Sequence, residues 1–263
     1  MRSLTRIAIV LCLALFFARP WFWMALVSFK GRSAIFRLPK GLLEDLTFSN
    51  YYTSLVEKTF YHDLWNGLFL GVLSSTLAIG IAIPAAYAIS RKVRHGEKYY
   101  TIILSTRFLP AISVVLPLFV LFSIVGLQGS FVGILLVHSS ISVSLAVVLL
   151  RAYFDRVPGW LDEAARLDGA NTLQILFSHI VPAARQGLST AWFLTFLVSW
   201  NEFLFASILT SASNRTIPVV IPGLVTPHGT YWGQVAALGV VASAPGILIA
   251  IWLATRRRTA SGA

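Results

Sequence analysis

Residues 131–150 read FVGILLVHSSISVSLAVVLL, twenty positions without one charged side chain. A helix rises about 1.5 Å per residue, so such a run crosses a hydrocarbon layer about 30 Å thick. Five more stretches have this character, at residues 7–29, 64–89, 101–124, 188–209 and 235–253. Their apolar positions are continuous and do not alternate with polar ones, which fits helices and not the strands of a barrel. Composition agrees: 57% of the 263 residues are hydrophobic and 12% are charged, against about 25% charged in soluble domains. The expected fold is an all-α membrane protein with six transmembrane helices. An ordinary soluble enzyme is excluded.

The first span follows Arg2 and Arg6, as a signal peptide would, but its apolar run continues through Trp21, Trp23 and Met24 with no small-residue cleavage site after it. It reads as a retained anchor. Cys12 is the single cysteine; Ile9-Val10-Leu11 before it lacks the small residues of lipoprotein processing, so it reads as a buried, inert thiol.

The net charge of +11 is topology information. One alternating set of segments holds Arg2 and Arg6, then Arg91, Lys92, Arg94 and Lys98, then Arg151, Arg156, Arg166 and Arg185, then Arg256, Arg257 and Arg258. The other holds Lys30, Arg32, Arg37, Lys40, Lys58 and Arg215. The richer side faces the cytoplasm, so both termini are expected inside. Basic residues scattered this way form no nucleic-acid-binding stripe.

Several chemistries are missing. The sequence has no G-x-x-x-x-G-K-[ST] phosphate loop, no G-x-G-x-x-G after a strand and no H-E-x-x-H. His62, His95, His138, His179 and His228 are dispersed, without metal-ligand spacing. His138-Ser139-Ser140 is the nearest approach to a nucleophile site and lacks its glycines. No catalytic residue, metal or cofactor is assigned to this chain.

The most informative stretch lies between the fourth and fifth spans: Val157-Pro158-Gly159-Trp160-Leu161-Asp162-Glu163-Ala164-Ala165-Arg166-Leu167-Asp168-Gly169-Ala170. Pro158 suits a helix start and Gly169 a helix end. Asp162 and Glu163 fall where the positive end of the helix dipole favours carboxylates. Asp162 and Arg166, four apart, can pair. Leu161, Ala164, Ala165 and Leu167 are expected on one side. Taken alone, this is either a short amphipathic connector on the membrane surface or a handle for a partner.

Glu163-Ala164-Ala165, then Gly169 and Pro182 in register, resemble the EAA loop of ABC importer permease subunits, with His179 and Val181 departing from the family's Ile and Leu. Ser28-Phe29-Lys30, Asn50-Tyr51-Tyr52, Ala85-Ala86-Tyr87-Ala88 with Arg91, Leu109-Pro110, Asp168-Gly169-Ala170 and Trp200-Asn201-Glu202-Phe203 resemble the carbohydrate-type members, in particular the smaller permease of maltose-type and glycerol-phosphate-type systems. The resemblance covers about residues 22–255. It implies a type I ABC importer permease fold in the bacterial inner membrane. The domains would be a first helix with an extracytoplasmic loop (1–63), a permease core (64–255) with a cytoplasmic coupling loop at 152–187, and a basic tail (256–263). The implied partners are a second permease subunit, an ATPase dimer carrying ATP and Mg, an extracytoplasmic solute-binding protein, a carbohydrate-like solute and membrane lipid. Glu163, Ala164, Ala165 and Gly169 would dock on the ATPase. The alternative is a stand-alone secondary carrier, which needs ion-coupling carboxylates within its spans.

Glu202 is the carboxylate to weigh. It lies about 21 Å along its span, next to Asn201. It has two readings, a pathway contact or an interhelical hydrogen bond. Arg107 is expected to snorkel from a span end; Arg19 would pair with a carboxylate or reach a headgroup. Gly67 with Gly71, and Gly129 with Gly133, have the spacing of close helix packing.

Overall fold

The computed structural model describes residues 2–42, 44–227 and 229–261, with side chains over 5–42, 44–227 and 229–256. His228 and the side chains of Arg2, Arg257 and Arg258 lie outside the described residues. The helices that matter below are α1 (Arg2–Ser28), α2 (Phe60–Arg91), α3 (Gly96–Ser105), α4 (Ala111–Ile124), α5 (Phe131–Phe154), α6 (Trp160–Leu167), α7 (Arg185–Trp200), α8 (Leu204–Leu209) and α9 (Trp232–Ser261). A two-stranded antiparallel ribbon pairs β1 (Val225–Thr226) with β2 (Gly229–Thr230), Val225 opposite Thr230.

Helices α1, α2, α5 and α9 are each long and apolar enough to cross a membrane. The third and fifth expected spans are not single helices. Residues 96–108 and 111–124 meet at an 88° bend. The cause is local: Pro110 supplies no amide hydrogen, and Leu109 before it is extended at ψ 125. The fifth span stops at Trp200 and resumes at Leu204 as the six-residue α8. Cys12, expected as a buried thiol, is exposed on the first half of α1, which no other part of the described chain covers. Arg19 is likewise exposed on α1, and Arg107 lies exposed in the turn Thr106–Phe108 that precedes the bend.

The chain forms two compact units, Met1–Leu64 with Ile217–Ile247, and Trp65–Thr216 with Leu248–Ala263. In the first, Trp21 Nε1 donates to Ser243 Oγ (2.9 Å), and Gly239 leaves room for Met24. Two motifs of the sequence meet here. Asn50 Nδ2 donates to the carbonyl oxygens of Ser28 and Lys30, each at 2.9 Å, and the hydroxyls of Ser28 and Tyr51 are 2.7 Å apart. Lys30 is fully buried; its ammonium donates to the carbonyls of Gly41 (2.7 Å) and Glu44, and so ties down the loop that follows it. A buried ammonium must be hydrogen-bonded to persist, and loop carbonyls need donors, so each answers the other.

The second unit packs α2, α5 and α7 closely. A Cβ on Gly67 would stand 3.3 Å from the Trp200 ring, and one on Gly71 3.0 Å from the Phe196 ring. The expected packing role of this glycine pair is what the structure has. Gly129 and Gly133 are also closely packed: a Cβ on Gly129 would stand 3.3 Å from Ser211, and one on Gly133 3.3 Å from the Phe122 ring. They do more: Gly129 precedes α5 at φ +68, and Gly133 takes the first turn, where its amide donates to the capping Ser130 Oγ (3.0 Å). The core of this unit runs from Ile79, Ala82, Ala86 and Tyr87 through Val147, Leu150 and Phe154 to Ala165, Leu176 and Ile180. It therefore joins the ends of α2 and α5 to α6.

Gly187 opens α7 directly against the Tyr153 ring, into which any Cβ would project. Gly187→Ala is expected to cost about 1–3 kcal/mol of overpacking. The measurement is the fraction of monodisperse chain surviving graded heating after detergent extraction, with partial recovery in Gly187→Ala/Tyr153→Leu.

Candidate functional site

Helix α6 begins after Pro158, with Gly159 at its N-cap, and carries Asp162 and Glu163 in its first turn. Its end is a Schellman motif. Gly169 lies at φ +82 and donates to the Arg166 carbonyl (3.0 Å), while the Ala170 amide donates to the Ala165 carbonyl (2.9 Å). This is the left-handed stop expected of Gly169. The next helix starts at once: Asn171 Oδ1 accepts from the Gln174 amide (3.0 Å) and Gln174 Oε1 accepts from the Asn171 amide (2.8 Å), a capping box.

The face that α6 buries differs from the expected one. Asp162 and Ala165 are buried and Leu161 is half-buried, whereas Glu163, Ala164, Gly169 and Leu167 are exposed. At 100° per residue, Leu167 stands 200° away from Ala165, so the four expected residues cannot share a side. Outward instead are Trp160 (65% exposed), Ala164 and Leu167 (90% exposed), spaced i, i+4, i+7, with Glu163 beside them. An apolar stripe at helical spacing facing away from its own core is a surface for a partner chain or for membrane lipid. Trp160 is the residue that sequence reasoning missed, and Leu167, expected beside Ala165, stands on the opposite side; the helical angle alone could have placed both.

Asp162 faces inward and does not pair with Arg166: its Oδ2 accepts from Tyr87 Oη of α2 at 3.2 Å. Tyr87 is 2% exposed and Asp162 7%. One turn along α2, Arg91 Nη2 donates to the carbonyl oxygens of Phe154 (2.9 Å) and Val157. Arg151 of α5 pairs with Glu97 and lies 3.4 Å from Asp155, and Ser90 Oγ donates to Asp155 Oδ1.

Glu202 occupies the gap between α7 and α8. Its Oε1 accepts from the Phe205 amide and its Oε2 from the Ala206 amide, each at 2.9 Å, so it serves the first free donors of α8. Oε2 also faces His138 Nε2 at 3.4 Å. The other ring nitrogen, Nδ1, is 2.7 Å from Ser199 Oγ, which accepts from Ser74 Oγ at 2.8 Å. Ser74, His138 and Ser199 are all buried. A polar chain thus crosses from α2 through α7 and α5 to the break. Asn201 is exposed, and its amide is turned back to the Leu197 carbonyl (2.8 Å). The structure brings Glu202 to His138 and leaves Asn201 outside the chain.

Comparison with known proteins places this arrangement. Residues 78–257 match the family described as "Binding-protein-dependent transport system inner membrane component". The chain is 33% identical over 260 residues to the "Inner membrane ABC transporter permease protein YcjP" of Escherichia coli (strain K12), covering 94% of this chain and 91% of the relative. It is 32% identical over 248 residues to the "Trehalose transport system permease protein SugB" of Mycobacterium tuberculosis (strain CDC 1551 / Oshkosh), covering 92% and 89%. Its fold superposes, at a TM-score of 0.75 and 25% identity, on a chain from the crystal structure of a bacterial ABC transporter involved in the import of the acidic polysaccharide alginate, covering 96% of this chain and 95% of that one.

Glutamine at position 202 offers one acceptor oxygen where two amides now find one each. Glu202→Gln is expected to destabilise the fold by about 1–3 kcal/mol, the cost of one unsatisfied donor, and Glu202→Ala by more. Thermal midpoints of the detergent-solubilised protein check this. Unchanged midpoints together with lost transport would assign the carboxylate to the pathway instead.

Proposed function

The chain belongs to the binding-protein-dependent transport system inner membrane component family, and on that premise we propose that it is one permease subunit of an ATP-driven importer for a sugar, polyol or related solute. It is a multi-pass inner-membrane protein. Six membrane crossings follow if the bent pair of α3 and α4 counts as one and α7 with α8 as another, and an even number puts both termini on one side. The distribution of Lys and Arg makes that side the cytoplasm.

The observation that carries the reading is the outward stripe of α6. Trp160, Ala164 and Leu167 are left unburied on a helix that a Schellman motif closes at its end and that is anchored on its other face. Such a helix transmits a push without bending, and its narrow apolar ridge fits a groove on a partner. The sequence has no phosphate loop, so ATP and Mg would be bound by a separate ATPase dimer, with a second permease subunit completing the pathway and an extracytoplasmic binding protein delivering the solute. Glu163 and Gly169 are the exposed ends of the docking surface, Ala164 part of its ridge, and Ala165 the small residue that lets α6 lie close to its own core. Asn201 and Glu202 are read as structural, with Glu202 holding the half-helix α8. A stand-alone carrier would need a carboxylate free to bind a coupling ion, whereas Glu202 uses both oxygens on backbone amides.

Glu163→Lys reverses a charge near a helix start, where a carboxylate is favoured by roughly 0.3–1 kcal/mol. Gly169→Val forces a β-branched residue to a positive φ, at about 1–2 kcal/mol. Both proteins should insert normally and lose solute-stimulated ATP hydrolysis roughly tenfold, equivalent to about 1.4 kcal/mol of docking. The assay is ATPase activity of the complex in vesicles with and without solute-loaded binding protein. Wild-type stimulation in both would reduce the loop to a connector.

Topology has its own test, run in a Cys12→Ser background. A thiol at Phe36, which is 76% exposed, should react with an impermeant reagent in intact cells lacking an outer-membrane barrier. One at Leu167 should react only after permeabilisation.

A further inference from the structure

Ala85-Ala86-Tyr87-Ala88 and Arg91 close α2, yet none of them belongs to the docking stripe of α6. Tyr87 and Arg91 are four apart and so lie on one face of the helix. Their polar ends reach the same place. Tyr87 Oη donates to Asp162 Oδ2 (3.2 Å), inside α6. Arg91 forks to the carbonyls of Phe154, the last residue of α5, and Val157, three residues before α6 begins. The same guanidinium lies against Gly159, the N-cap of α6, where a Cβ would sit 3.5 Å from Nη1. The main chain ties α6 only to α5 and, through residues 170–184, to α7. Apolar packing of Ala86, Tyr87 and Ile89 with Ala165 joins α2 to α6. Hydrogen bonds from Tyr87 to α6 itself, and from Ser90 and Arg91 to the segment that leads into it, fix the position, bridging 63 to 75 residues of sequence.

Burial makes the attachment directional. Asp162 is buried against Tyr87, and its second oxygen, Oδ1, is buried without a hydrogen-bond partner. If Tyr87 Oη withdrew, the whole carboxylate would be left unpaired in an apolar setting, a state much costlier than moving α2 along with α6. We propose that Tyr87 and Arg91 are positioning residues that fasten the docking helix α6 to α2, so that displacement of α6 by the ATPase is delivered to α2 as well as to the covalently joined α5 and α7. The proposal rests on α6 being the coupling helix.

The test uses the assembled transporter in vesicles and reads solute moved per ATP hydrolysed, with ATPase co-purification measured beside it. Tyr87→Phe keeps the ring and removes the hydroxyl; Arg91→Gln cannot reach both carbonyls. Each should lower the ratio roughly threefold to tenfold, the scale of one buried hydrogen bond, while co-purification stays at the wild-type level. Arg91→Lys, which can satisfy one carbonyl, should fall between. Asp162→Asn, which keeps an acceptor for Tyr87, should stay nearer wild type than Asp162→Leu. A wild-type ratio in Tyr87→Phe and Arg91→Gln overturns the proposal. So does failure of both to assemble, since the contacts would then serve folding alone. Glu163→Lys, run in parallel, separates the two readings. If it loses ATPase stimulation while Tyr87→Phe and Arg91→Gln stay coupled, only the fastening fails. If it too behaves like wild type, the coupling-helix reading itself is wrong.

Discussion

A backbone that leaves helical geometry where water is excluded, in hydrocarbon or within the folded chain, exposes amides and carbonyls that must each find a partner within the chain. This constraint organises the polar residues of the protein. Where α7 stops short of α8, Glu202 supplies the acceptors. Where α5 ends and the chain turns toward α6, Arg91 supplies the donors. Where the chain loops after α1, Lys30 does the same for Gly41 and Glu44. In all three places an ionised side chain stands in for the missing half of a backbone hydrogen bond. Bonds to charged groups contribute about 1.5–3 kcal/mol, roughly twice the neutral kind, which suits them to replace a turn of helix.

The same logic sorts the charges by role. Those that repair the backbone are buried or half-buried and have fixed partners. Glu163 and Arg166, on the outward part of α6, have neither. Asp162 repairs no backbone bond, yet like the first group it is buried with a fixed partner, Tyr87, and that difference separates the inward face of α6 from its outward one.

Much of this was legible in the sequence. Four of the six apolar stretches form single long helices and the other two are helical on either side of a break, and the stop at Gly169 follows from a residue without a Cβ ahead of a small apolar position. The breaks at Leu109-Pro110 and at Asn201–Phe203 were harder to see, because hydropathy averages over side chains and is blind to backbone geometry. Pro110 did announce its break through its missing amide hydrogen. Glu202 looked like a question about solute or helix contacts, when its answer was the backbone three and four residues ahead. The inward turn of Asp162 was out of reach, since the tyrosine that receives it is 75 residues away.

The stop at Gly169 and the start at Asn171 are separated by one residue, and both are built from hydrogen bonds within the segment itself. The corner between α6 and the following helix is therefore written locally, with little help from the rest of the protein. Residues 158–174 then form a cassette whose corner carries its own shape. What the cassette takes from its host is an apolar seat for Ala165 and a hydroxyl at the end of the second long helix that donates to Asp162.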